Sequence, residues 1–117
     1  QAKQHLLYVS SEILDRFGVV SVETAAAMAK GALAAASNAS GMKGYALAVT
    51  GLAGPAGGTP KLPVGSVCIA CADNEYTSSV YAKKYLFSGT RNAVREQTYT
   101  AAMQMLLQQL KRDYQSR

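Results

Sequence analysis

The sequence predicts an α/β fold, a layered α/β/α sandwich around a small mixed sheet, truncated at its N-terminus. Three observations predict it. Apolar residues recur at helical spacing near both ends of the chain, segments of strand length occupy residues 45–87, and glycine-containing breaks separate the two kinds of pattern. The chain also opens at Gln1 without a methionine and enters a helical pattern almost at once, as a fragment or a processed chain does. With 117 residues, 49% of them hydrophobic, residues 1–117 make one incomplete domain able to bury roughly two thirds of its unfolded surface.

Residues 2–17 form the first expected helix, because Leu6, Val9, Ile13 and Phe17, joined by Leu7 and Leu14, fall on one face and Gly18 follows as a stop. A second helix starts at Ser21, an N-cap with Glu23 in the first turn. Its stripe of Val22, Ala25, Ala29, Leu33 and Ala36 is narrow and built mainly from small residues, which permits close packing, and it is expected to end near Ser37. Residues 38–44 read as a loop. Residues 45–49 show no polar alternation, which predicts a strand buried on both faces at the centre of the sheet.

After a loop over residues 50–65, the apolar run around Cys68 forms the next strand, and Asp73-Asn74-Glu75 a turn. Residues 78–87 follow as a more exposed strand carrying Lys83 and Lys84. Ser88-Gly89-Thr90 breaks that pattern, and Thr90 caps a long final helix whose expected inner face holds Ala102, Leu106 and Leu110, with Val94, Tyr99 and Met103 nearby.

Composition narrows the function. The net charge of +5 comes from 12 Lys and Arg against 7 Asp and Glu, but Lys83-Lys84 and Lys111-Arg112 are isolated pairs without interleaved aromatics. That pattern argues against a nucleic-acid surface and fits small anionic ligands. No apolar run approaches the ~20 residues of a membrane span, and no signal-peptide pattern opens the chain, so a cytoplasmic protein with no membrane partner is expected. Cys68 and Cys71 have the spacing of a redox or zinc half-site. On a strand, however, an offset of three sends their sulfurs to opposite faces, and His5 is the single histidine. Two structural thiols, no metal and no cofactor are predicted.

Residues 50–65 hold the chemistry. The string Thr50-Gly51-Leu52-Ala53-Gly54-Pro55-Ala56-Gly57-Gly58-Thr59-Pro60-Lys61-Leu62-Pro63-Val64-Gly65 follows a strand. Its glycines let backbone N–H groups approach a ligand, while its prolines fix φ and remove competing donors, so it reads as a rigid cradle for an anionic or amide-bearing group. This string resembles the signature loop of the C-terminal domain of the competence/damage-inducible protein A family, the nicotinamide-nucleotide amidohydrolases. The family's form is Thr-Gly-Ile-Ala-Gly-Pro, a variable residue, Gly-Gly-Thr-Pro, an acidic residue, Lys-Pro-Val-Gly. Ala2-Lys3 is similar to the family's Glu-Ala-Lys helix start, residues 18–33 follow its next helix, and Phe87-Ser88-Gly89-Thr90-Arg91-Asn92-Ala93-Val94-Arg95 is similar to its Phe-x-Gly-acidic-Arg-x-x-Arg motif.

The resemblance implies hydrolysis of nicotinamide mononucleotide to nicotinic acid mononucleotide and ammonia, within pyridine-nucleotide salvage. It implies Lys3 as the catalytic base, which requires burial or neighbouring cations to lower its pKa. It places Thr50 at the reacting end of the ligand, and the backbone of Gly51, Ala53, Gly54, Gly57 and Gly58 against the nucleotide or a developing oxyanion. Arg91, in the first turn of the last helix, is implied as an anion contact, and Arg95, one turn on along the same face, either supports it or pairs with a carboxylate elsewhere. Lys61, Leu62 and Thr90 depart from the family pattern, and the Glu-Ser-Cys-Thr-Gly-Gly string that carries the family's serine is not among these residues. A weak or inactive amidohydrolase is therefore expected; the alternative is a non-catalytic nucleotide-binding or regulatory module that pairs with another chain. An open sheet edge would also favour a homo-oligomer.

Overall fold

In the computed structural model, which describes residues 13, 20–41, 43–52, 64–75 and 79–115, a three-stranded sheet lies between two long helices. Helix α1 spans Val22–Ser40, strands β1, β2 and β3 span Tyr45–Leu52, Ser66–Asp73 and Val80–Leu86, and helix α2 spans Arg91–Gln115. The sheet order is β1-β2-β3, and both pairings are antiparallel. The parallel pairing that a mixed sheet implies is not among the described strands. The helix expected over residues 2–17 lies outside the described residues apart from Ile13, which is helical.

Helix α1 starts as predicted. Ser21 has extended backbone (φ −154°, ψ 156°), and its Oγ accepts from the Thr24 N–H at 3.0 Å, a cap contributing about 1 kcal/mol. The helix runs three residues past its expected end at Ser37, through Ser40. Nothing in Asn38-Ala39-Ser40 forbids helical backbone, and the Ser40 hydroxyl donates to the Ala36 carbonyl at 2.8 Å. The stop is Gly41, at φ 72° with its N–H donating to Ser37 O at 2.6 Å, the left-handed cap that glycine adopts without steric cost.

Strand β2 is the centre of the sheet and is buried along its whole length. Its alternate residues feed two cores. Cys68, Ala70 and Ala72 face α1 and meet Ala25, Ala29 and Ala48. Val67, Ile69 and Cys71 face α2 and meet Val94, Ala101, Ala102 and Met105. The two thiols thus point to opposite faces, and burial raises the pKa of each above its ordinary value. Strand β1, expected at the centre, is instead an end strand of the described sheet, and Val49 is 40% exposed. Its unbroken apolar sequence marks contact with both helices, not enclosure by strands on either side. Strand β3 alternates between half-buried and exposed residues, with Lys83 and Lys84 exposed as expected.

Helix α2 is capped by Thr90, whose Oγ1 accepts from the Ala93 N–H at 3.1 Å. Its buried stripe is Val94, Thr98, Ala101, Ala102, Met105, Gln109 and Asp113. The expected inner face is corrected here: Leu110 is exposed, Leu106 is half-buried, and Tyr99 and Met103 face outward at 59% and 53% exposure. Polar residues can take the inner stripe because each has a partner. The Thr98 hydroxyl donates to Val94 O at 2.7 Å, Arg112 Nη2 donates to Gln109 Oε1 at 2.6 Å, and the Tyr45 hydroxyl donates to Asp113 Oδ2 at 2.5 Å. Arg112 Nε also lies 3.5 Å from Asp113.

Candidate functional site

A cleft of about 340 Å³ opens where β1 ends beside the first turns of α2, lined by Val49, Gly51, Val67, Arg91, Val94, Arg95, Thr98 and Tyr99. Each element supplies a set of residues fixed by its period. Val49 and Gly51 lie on the α2 side of β1, paired in register with Ile69 and Val67. Arg91, Arg95 and Tyr99 lie at successive steps of four along α2, so they line one face of its first turns. The floor is apolar and two exposed guanidiniums stand at the rim. An anionic head and a planar apolar body suit such a space, the charge at the rim and the ring over the valines or Tyr99.

Gly51 shapes the cleft by lacking a side chain. A Cβ there would sit 3.1 Å from Val67 Cγ2 and 3.3 Å from the Ser66 carbonyl oxygen, filling the space between the strand end and α2. The turn beneath it is set by Gly65, at φ 95°, where a Cβ would fall 2.1 Å from the Phe87 carbonyl oxygen. Phe87 N–H donates to Gly65 O at 2.9 Å, tying the start of β2 to the end of β3. Across that end, the Gln97 side-chain amide donates to Ser88 O at 2.8 Å and fixes the approach to α2.

Of the residues expected at the site, the fold brings Gly51 and Arg91 together with Arg95. Thr50 lies elsewhere: it is buried, paired with Cys68, and on the α1 face of β1, so its side chain is on the opposite side of the strand from the arginines. Lys3, Ala53, Gly54, Gly57 and Gly58 lie outside the described residues. Sequence reasoning missed Tyr99 and Thr98 as lining residues and placed Tyr99 near the inner face of the last helix. The signal for Tyr99 was present, since it follows Arg91 and Arg95 at the same interval of four.

A second cleft, about 310 Å³, lies at the other end of the sheet between α1 and the β2–β3 connection. Its polar lining holds the chain together: Asp73 Oδ1 accepts from the Glu75 N–H at 2.7 Å and Asn74 Oδ1 from the Gly44 N–H at 2.8 Å. Nearby, burial and then the hydrogen bond to Asp113 push the Tyr45 hydroxyl far above its ordinary pKa. Tyr45 and Gly51 are six residues apart on one strand, roughly 20 Å at strand rise, so this pair serves the fold and not the cleft. Among the described residues no group of three or more His, Cys, Asp or Glu could hold a metal ion, and no helix is long and apolar enough to cross a membrane.

Residues 1–110 match the model of the CinA C-terminal domain. The chain is 44% identical over 110 residues to a CinA-like protein of Endomicrobium trichonymphae, covering 94% of this chain and 24% of that protein. It is 43% identical over 106 residues to the nicotinamide-nucleotide amidohydrolase PncC of Pseudomonas putida, covering 91% of this chain and 61% of that one. Among solved structures, a CinA superfamily protein of Klebsiella pneumoniae superposes with TM-score 0.77 at 30% identity, over 91% of this chain and 61% of its own. The competence/damage inducible protein CihA of Agrobacterium tumefaciens superposes with TM-score 0.74 at 37% identity, over 86% and 58%. The chain therefore spans about a quarter of the CinA-like relative and about three fifths of the shorter proteins.

Proposed function

The chain belongs to the CinA C-terminal domain family, and on that premise we propose that the cleft between β1 and α2 binds the anionic part of a pyridine nucleotide, nicotinamide mononucleotide being the substrate. The observation that carries this reading is that Gly51 and Arg91, far apart in sequence, line one cleft. The arginine fork matches phosphate geometry and the α2 N-terminus adds favourable dipole. The reaction is hydrolysis of a carboxamide: the C–N bond breaks, a C–O bond to an oxygen derived from water forms, and nitrogen leaves as ammonia. Lys3 takes the proton from the nucleophile, and backbone N–H groups of the loop from Gly51 through Ala53, Gly54, Gly57 and Gly58 hold the oxyanion. Thr50 meets the reacting end. Because its side chain and the arginines lie on opposite sides of β1, the bound nucleotide crosses the C-terminal end of that strand, where Gly51 presents no side chain.

The family's serine string is not among these 117 residues, so the chain by itself binds the nucleotide without appreciable turnover. These 117 residues alone then work as a nucleotide-binding module, in a cytoplasmic role in nucleotide salvage. Amide-resolved titration with nicotinamide mononucleotide tests the reading. Shifts centred on residues 50–52 and 91–99 are expected, and Arg91→Ala should weaken binding about tenfold or more, the loss of a charge-assisted contact. Peaks that stay still at millimolar ligand would sink the binding site. Ammonia release above a Lys3→Ala control would sink the inactivity.

A further inference from the structure

Gln97 is half-buried and does not line the cleft, yet both hydrogens of its side-chain amide are engaged. Nε2 donates to Ser88 O at 2.8 Å and to Ala93 O at 2.9 Å. Carbonyl oxygens only accept, so the nitrogen of the amide, and not its oxygen, must face them. The Ala93 bond stays within α2, one turn back. The Ser88 bond leaves the helix, because Ser88 lies just beyond the end of β3, and Gly89, at φ 111°, and Thr90 carry the chain from there to Arg91. One side chain thus ties the first turn of α2 to the strand end from which it departs. We infer that Gln97 is a positioning residue for the rim of the cleft: by holding the Ser88 carbonyl against Ala93 it sets where the Arg91 guanidinium stands relative to Gly51. The inference rests on the reading that this cleft takes the anionic part of a nucleotide.

The other bonds of the turn leave that task to Gln97. On the helix side, Thr90 Oγ1 accepts from the Ala93 N–H at 3.1 Å and Thr90 O from the Val94 N–H at 2.9 Å, so Thr90 is fixed on α2. On the strand side, the Phe87 N–H donates to Gly65 O at 2.9 Å, so Phe87 is fixed on the sheet. Ser88 and Gly89 join these two anchors, and the Gln97 bond spans the join. The α2 backbone comes closest to β2 and β1 among the described strands, so its placement at the β3 end falls to side chains such as this one. Helical spacing also keeps Gln97 clear of the ligand. At about 100° per residue it projects roughly 160° around the helix from Arg95 and 120° from Arg91, so its bonds persist whether the cleft is empty or filled.

Gln97→Met tests the inference, since it keeps the length of the side chain and removes both donors. In the ligand-free chain the heteronuclear NOEs of Gly89, Thr90 and Arg91 should fall while circular dichroism stays unchanged. Gln97→Lys, which returns a donor of similar reach, should keep them at the level of the unsubstituted chain. Titrated with nicotinamide mononucleotide, Gln97→Met should bind about two- to tenfold more weakly, the worth of one neutral hydrogen bond. Added to Arg91→Ala, it should cost less than about twofold further, because it acts through that arginine. Unchanged order at residues 89–91 in the free variant would overturn the inference. So would full affinity in Gln97→Met where Arg91→Ala has lost it, or losses that simply add in the double variant, as a merely structural role gives. A chain that binds no nucleotide but loses order at residues 89–91 in Gln97→Met would remove the nucleotide reading and leave the placement of Arg91 by Gln97 standing.

Discussion

The two faces of β2 are packed by different rules. On the α1 side, Ala25 and Ala29 are 0% exposed against Cys68, Ala70 and Ala72, and α1 lies close to all three strands. On the α2 side, Val67, Ile69 and Cys71 meet Val94, Met105 and two alanines, with Tyr45, Leu47, Tyr85 and Phe87 around them, and among the described strands the α2 backbone approaches β2 and β1 most closely. Small residues let one helix approach closely around Ala25 and Ala29, whereas larger and partly polar residues hold the other further off. The cleft with Arg91 and Arg95 opens on that second side. Binding space in this domain is a consequence of side-chain volume at a helix–sheet interface.

The comparison can be tested first where both faces depend on the same backbone. Gly65→Ala puts a Cβ at φ 95° and 2.1 Å from Phe87 O, so the turn must move and both cores lose register. A loss of about 3 kcal/mol or more is expected in urea unfolding, and a loss under about 1 kcal/mol would show that the turn is not what aligns the strands.

Next comes the tight face alone. Ala29→Leu adds volume where none is free and should cost about 1–3 kcal/mol, with the nucleotide titration unchanged in position. If Ala29→Leu proves neutral, the close approach of α1 does not limit side-chain volume at that face.

The α2 face should respond to loss of polarity. Tyr45→Phe removes the donor to buried Asp113 and should cost about 1–2 kcal/mol. The same hydroxyl links stability to pH. Its folded pKa lies above its ordinary value of 10.0, and those of Cys68 and Cys71 lie above 9.0. The unfolded chain therefore releases these protons first. Their contribution is fully present below about pH 9 and declines as pH rises past it. Melting temperature should fall on the alkaline side, less steeply in Tyr45→Phe; a flat profile to pH 11 would contradict the burial of all three groups.

The smallest effect on stability is expected in the cleft. In Gly51→Ala the new Cβ meets a valine methyl at 3.1 Å, which can shift by a few tenths of an ångström, so stability should change by less than about 1 kcal/mol. Binding of nicotinamide mononucleotide should fall all the same, because the methyl occupies ligand space. Unchanged affinity would move the site away from Gly51.

Much of the fold was legible. Ser21 and Thr90 announced their helices, because a capping side chain acts on its own neighbours. The opposite orientation of Cys68 and Cys71 followed from strand alternation. The end of α1 was misjudged because Ser40-Gly41 was read as part of a loop, when Gly41 alone carries the stop. The inner face of α2 was misjudged for a different reason. Apolar and small residues cover far more of that helix than one face, and its period leaves open which arc meets the sheet.

The site divides in the same way. Arg91 and the glycine loop were recognisable as local strings, yet Thr50 and Gly51, adjacent in sequence, lie with opposite faces of β1, and Tyr99 joins the cleft from two turns along α2. The sequence by itself determined the caps, the strand alternation and the family, since each is written in short-range spacing. Only the tertiary structure decided which strand is central, which side of α2 is covered and which arginines share a cleft, because those depend on how much volume each pair of packed surfaces leaves between them.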